Sequence, residues 1–185
     1  MAVQRRRTGD SGFRFAAAAR GTRQWWANRI SGAGSLLVGV AAPVADLLGL
    51  DPVVSPLSSP ALRTAAAAVA ASGIFCTYAA QLAMGTAWRI GVDPTERTEL
   101  VTSGPFAFVR NPIFTTALIT FTGLALASPN LVALAGLVLV YAGIQMQVRA
   151  VEEPHLLATH GRAYADYAAR VGRFVPGIGR LRPTS

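Results

Sequence analysis

Three groups of side chains in this chain have the types and spacing to do chemistry. The first is Arg110-Asn111-Pro112, a guanidinium and an amide beside a proline that opens an apolar run. Proline suits the first turn of a helix, so Arg110 and Asn111 are predicted at a helix mouth. Free N–H groups there favour anionic groups. A plainer reading has Arg110 snorkelling to lipid headgroups and Asn111 serving as a cap. The second group is Tyr141, Gln145, Arg149 and Glu152, spaced 4, 4 and 3 apart and so predicted on one helical face. A polar stripe on an apolar helix points to the bundle interior or a water-filled cavity. An ordinary helix end with salt-bridged charges has the same pattern. Glu153 comes next, then Pro154, predicted to break or kink the helix. The third group is Tyr164 and Tyr167, an i,i+3 ridge. Its faces suit an aromatic or positively charged ligand, or equally an interfacial anchor.

Other chemistries have no foothold. The chain has no glycine-rich phosphate loop, no Ser-His-Asp arrangement and no CxxC pair. His155 and His160 lie five apart without a third ligand nearby, so no metal site is expected. Cys76 is the lone cysteine and sits in an apolar stretch with no base to form a thiolate.

The elements that must position these groups read as membrane helices. No charged residue lies between Arg110 and Arg149, and Ser128-Pro129-Asn130 marks a turn near the midpoint. The two arms, 113–128 and 131–148, approach the ~20 residues that cross a bilayer. An earlier apolar run at 30–50 contains Asp46. A charge at the bilayer centre costs about 2.5–3.5 kcal/mol, so Asp46 is expected near an end or facing inward. A further run from Thr64 to Trp88 is rich in alanine and glycine, which permits close helix approach.

The predicted fold is all-α: a polytopic membrane protein of about four transmembrane helices, with a C-terminal helical hairpin and a cytoplasmic cap. Residues 1–29 form a basic, flexible tail, residues 30–87 two transmembrane helices, and residues 88–185 the core. Composition agrees, with 52% hydrophobic and only 14% charged residues at a net charge of +8. Seven arginines lie in the tail, three in 89–112, six after Val148, and none in 51–60 or 128–130. Four spans place every arginine-bearing segment on one side, expected to be cytoplasmic together with both termini. The arginines are not interleaved with stacking aromatics, so no nucleic-acid partner is expected.

Glu99-Leu100-Val101-Thr102, Gly104-Pro105-Phe106, Arg110-Asn111-Pro112, Glu152-Glu153, Tyr164, Tyr167 and Arg173-Phe174-Val175-Pro176 succeed one another in an order known elsewhere. Over about residues 88–176 the chain resembles the isoprenylcysteine carboxyl methyltransferase and phospholipid methyltransferase family. The resemblance implies an integral membrane enzyme that binds S-adenosylmethionine at the cytoplasmic face and takes a lipophilic small molecule or lipid from the bilayer. By position it implies that Gly104, Arg110, Asn111, Pro112, Glu152, Tyr164 and Tyr167 bind the cofactor. It further implies that Glu152 and Glu153 contact the cofactor or the reacting group and that Arg173 lines the cap; with Arg149, these are the candidate catalytic residues.

Two departures bear on the acceptor. Asn111 stands where the carboxyl methyltransferases usually have histidine, and Phe114 where the family commonly has tyrosine. An amide cannot act as a base near neutral pH. A carboxylate acceptor needs only a cation to orient it, such as Arg149 or Arg173. An amine or hydroxyl acceptor needs proton removal, for which Glu152 or Glu153 is the candidate. Two other readings remain open: an NADPH-dependent membrane reductase of related architecture, and a non-catalytic membrane protein.

Overall fold

A computed structural model describes residues 18–50, 59–84 and 99–181. The expected tail through residue 17, the proline-rich turn at 51–58 and most of the loop before Leu100 lie outside the described residues. Four helices carry the apolar runs: α1 (Arg23–Leu47), α2 (Pro60–Met84), α3 (Pro112–Ala127) and α4 (Leu131–His160). The first, second and fourth are long and apolar enough to cross a membrane, and α3 is a shorter apolar helix. A cap helix, α5 (Arg162–Arg170), comes after them. Gly161, at φ 52°, makes the break between α4 and α5, a conformation that glycine reaches without a Cβ clash.

The first helix starts at Arg23, inside the stretch expected to be a flexible tail. Thr22 caps it, its hydroxyl accepting from the Trp25 N–H at 3.2 Å. Arg29 lies over the Trp25 ring at 5.0 Å. Folding this turn is therefore supported by a cap and a cation–π contact that apolar patterning does not report.

Close packing results from small residues, as the composition of the second run suggested. α2 lies against α3, where a Cβ on Gly73 would meet Thr120 Oγ1 at 2.4 Å and one on Gly123 would meet Ala70 N at 2.6 Å. α1 lies against α4 in the same manner, through Gly34 beside Gly136 and through Ser31 beside Gly143. Within the α3–α4 hairpin, Phe114, Leu118 and Phe121 pack on the buried Val140 and Ile144. Without water to drive helices together, such backbone-to-backbone approach is how membrane helices gain dispersion contact.

One end of the bundle is tied by polar groups. Asp46 lies in the last turn of α1 and forms an ion pair with Arg63 in the first turn of α2. The Nε of Arg63 also donates to the Ala127 carbonyl at 2.8 Å. Asn130 in the hairpin turn accepts from the Ala133 N–H at 2.8 Å. Its amide nitrogen donates to Ala42 O at 2.9 Å. The expected cost of Asp46 is thus met by placing it near a helix end and pairing it.

Pro154, expected to break or kink its helix, does not end α4, and Pro43 likewise lies within α1. Each is preceded by a π-helical turn, Leu37–Ala41 and Val148–Glu152. In each case the residue before the proline bonds five back, Ala42 to Leu37 and Glu153 to Val148. The wider turn absorbs the missing N–H and the ring clash that proline brings to an α-helix.

Candidate functional site

The site forms at the opposite end from Asp46, where the start of α3 meets the chain after α5. Val109 pairs with Gly172 in a single parallel bridge. Backbone bonds run from Arg110 N to Gly172 O at 2.8 Å and from Asn111 N to Arg173 O at 3.1 Å. The Asn111 side chain reinforces this, donating to Arg173 O at 3.1 Å, and makes no capping bond to α3. Gly172 has no room for a side chain, since a Cβ would lie 2.1 Å from Val175 O. Two parts of the chain about sixty residues apart are thereby joined before any side-chain chemistry is considered.

Arg110 is the centre of the joint. Only 5% of the residue is exposed. Its Nη1 donates to Ala168 O at 3.1 Å and Val171 O at 2.5 Å. Its Nη2 donates to Glu153 Oε1 at 2.6 Å and Gly179 O at 3.1 Å. Arg173 grips the same carboxylate, Nε to Oε1 at 2.7 Å and Nη2 to Oε2 at 2.9 Å. These bonds raise the Arg173 guanidinium above its usual range, because deprotonation would forfeit the Glu153 contact. Buried charges of this kind are tolerable when each is paired and hydrogen-bonded. The headgroup-snorkelling reading of Arg110 does not apply, for its guanidinium points into the protein.

Above this joint is a cavity of about 530 Å³. Arg110, Asn111, Pro112, Glu152, Tyr164 and Tyr167 line its polar end, and Phe114, Ala117, Phe121 and Ile144 its apolar end. Tyr164 and Tyr167 are buried, with ring centroids 6.2 Å apart in an edge-on arrangement. Burial pushes both phenols up to about 12, so they stay neutral donors. The Tyr167 hydroxyl donates to Phe106 O at 2.6 Å and locks the 104–107 turn onto the cap.

The remaining expected site residues fall elsewhere. Glu153, paired with both Arg110 and Arg173, does not line the cavity, and neither does Arg173. Gly104 is exposed at φ 59° and shapes the turn that sends Phe106 inward. Arg149 and Tyr141 are exposed and outside the cavity. The expected stripe of Tyr141, Gln145, Arg149 and Glu152 is therefore not a single face. The π turn at Val148–Glu152 supplies the reason. An extra residue in the turn rotates the rest of the helix by roughly 100°, from 3.6 residues per turn. Glu152 is brought round to Gln147, whose amide nitrogen donates to Glu152 Oε1 at 3.2 Å.

Sequence reasoning missed Gln147, Phe106, Asn28, Ser31, Thr77 and Gln81, which also line the cavity. For Ser31, Thr77, Gln81 and Gln147 a polar residue inside an apolar run was the available signal; Asn28 lay in the stretch read as a tail, and Phe106 carried no such mark. Among the described residues no group of three or more His, Cys, Asp or Glu is placed to hold a metal.

With the geometry in hand, comparison with known proteins is decisive on one point. The phospholipid methyltransferase family model matches residues 62–163, more than half of the 185 residues. The chain belongs to the phospholipid methyltransferase family. Its fold is similar to that of the eukaryotic intramembrane Ras methyltransferase ICMT (isoprenylcysteine carboxyl methyltransferase), with a TM-score of 0.66. That match has 22% identity and covers 78% of this chain and 53% of the other, so it speaks for the fold. The nickel-cobalt-cadmium resistance protein NccN of Alcaligenes xylosoxydans xylosoxydans is 29% identical over 103 residues. The match takes in 55% of this chain, which spans about half of that relative's length (48%). The apolar helices and the ICMT-like fold make this an all-helical, integral membrane protein of a membrane methyltransferase family.

Proposed function

We propose that this protein transfers a methyl group from S-adenosylmethionine to a lipophilic acceptor at the membrane surface. The single observation that carries the reading is the cavity, in which polar side chains from the α3 mouth and the cap and apolar side chains from α3 and α4 line one space. Its volume of about 530 Å³ is of the size that takes small molecules and cofactors. The polar end fits a molecule carrying a sulfonium and an ammonium. Glu152 offers a carboxylate, Tyr164 and Tyr167 offer aromatic rings that attract positive charge, and Asn111 offers an amide. The apolar end, between α3 and α4, suits an alkyl chain drawn from lipid.

When bound, S-adenosylmethionine supplies an electrophilic methyl on a sulfur that leaves as a neutral thioether. The chain's own task is alignment and water exclusion, which contribute most in a displacement of this type. Arg110 and Glu153 hold the mouth of α3 against the cap. Tyr164 and Tyr167 close the cavity on the cap side. Glu152 lies on the cavity wall, held by Gln147, in place to take a proton from an amine or hydroxyl acceptor. Arg149, exposed and outside the cavity, and Arg173, occupied by Glu153, are poorly placed to orient a carboxylate. The arginine counts, seven in residues 1–29, three in 89–112 and six after Val148 against none in 51–60 or 128–130, support placing the site end, and both termini, on the cytoplasmic side.

Isothermal calorimetry with S-adenosylhomocysteine on protein purified in detergent tests the reading. Saturable one-to-one binding is expected. No heat at protein concentrations of tens of micromolar, with the fold verified by circular dichroism, would sink it.

A further inference from the structure

Gln147 is the least explained group in the cavity wall. The residue is only 6% exposed, and it lines the cavity. Its amide nitrogen is used, donating to Glu152 at 3.2 Å. Its Oε1 is buried and has no hydrogen-bond partner among the described residues. An unmet buried acceptor costs about 1–3 kcal/mol. In the middle of an apolar helix a leucine would avoid that cost.

The surroundings define what would satisfy it. Gln147 sits between Ile144, on the apolar side, and Glu152, on the cap side. It is therefore at the junction of the two ends of the cavity. Among the described residues the cation lining the cavity is Arg110, whose terminal nitrogens go to Glu153 and three carbonyls. The Arg110 Nε is left without a partner but is buried, and an incoming acceptor group beside Gln147 would be repelled by the Glu152 carboxylate. A donor-bearing group meets two acceptors side by side.

We propose that Gln147 is a ligand-binding residue: its Oε1 accepts a hydrogen bond from an N–H or O–H group of the bound molecule, while its Nε2 holds Glu152 at the cavity wall. The inference rests on the methyltransferase reading. The donor has two possible sources, the ammonium of the cofactor or the nucleophile of the acceptor. The π turn is what creates the pair, since without it the two side chains would not share a face.

The test uses the full chain in detergent, with Gln147→Leu and Gln147→Glu, each verified by melting and gel filtration. The probes are S-adenosylhomocysteine, and 5′-methylthioadenosine, which lacks the amino-acid end. If the ammonium is the donor, Gln147→Leu weakens S-adenosylhomocysteine about tenfold or more and leaves methylthioadenosine unchanged. If the acceptor is the donor, both probes bind as in wild type. The apparent KM for a phospholipid extract, read with methyl-labelled cofactor, then rises about tenfold. In either case Gln147→Glu, which keeps an acceptor at Oε1 but gives up the Nε2 bond to Glu152, loses less than Gln147→Leu. Equal weakening of both nucleosides by both variants indicates packing alone and overturns the proposal. So does wild-type behaviour of Gln147→Leu in every arm. Failure of wild-type protein to bind S-adenosylhomocysteine overturns the methyltransferase reading, and this inference with it.

Discussion

Glu153→Gln is the sharpest test of how the site is held together. The carboxylate receives three charge-assisted bonds, from Arg110 at 2.6 Å and from Arg173 at 2.7 and 2.9 Å. The Arg110 side chain is 1% exposed, so it cannot be rehydrated once its partner is neutral. Removing one member of a buried ion pair costs about 3–5 kcal/mol, mainly because the other charge is left uncompensated. In a chain of this length each kcal/mol moves the midpoint by about 2–4 °C, giving a loss of about 6–20 °C. Thermal unfolding in detergent, followed by tryptophan fluorescence, measures it. Arg173→Met is the control. It is 12% exposed and its removal leaves the Arg110–Glu153 bond in place, so its loss should be clearly smaller. The double variant should lose less than the sum of the two, because both act through one carboxylate. If Glu153→Gln melts within about 2 °C of wild type, or Arg173→Met is the more damaging, Glu153 is not the hub described.

The same packing and pairing set other outcomes. Gly123→Ala should lower stability by about 1–3 kcal/mol, because the new Cβ meets Ala70 N at 2.6 Å. Gly32→Ala on α1 has nothing within 4 Å; it should be neutral or stabilise by up to about 1 kcal/mol. Both are read by melting temperature. Burial holds the Tyr164 and Tyr167 phenols at about 12, above their usual 10, so the fold favours the neutral form. Their contribution is whole below pH 10 and is lost as pH rises through about 12. Absorbance titration at alkaline pH should show this late ionisation disappear in the Tyr164→Phe/Tyr167→Phe variant. Asp46→Asn should lower the melting temperature by breaking the Arg63 pair, while leaving S-adenosylhomocysteine affinity unchanged, since that pair is at the other end of the bundle.

Much of the architecture was legible in one dimension because lipid imposes a simple rule. Backbone polar groups must be satisfied within each segment, so long uncharged runs become helices and charges gather at their ends. That rule located the α3–α4 hairpin, its Ser128-Pro129-Asn130 turn and the end position of Asp46. The start of α1 was not legible, because Thr22 and the Arg29–Trp25 contact lie in a stretch with no apolar run.

At the site, residue types alone singled out Arg110, Asn111, Glu152, Tyr164 and Tyr167, because each is polar or amphipathic beside apolar sequence. Which of them face one another was a matter for the tertiary structure. The π turn at Val148–Glu152 changes the helical phase, and a fixed period of 3.6 cannot register it. It takes Glu152 off the exposed face that carries Tyr141 and Arg149, brings it to Gln147 and leaves Glu153 to the two arginines. Pairing across long stretches of chain, such as Arg110 with Glu153 and Gly179, depends on how the cap folds back. Such contacts are decided by packing, whereas the helices themselves are decided by local composition.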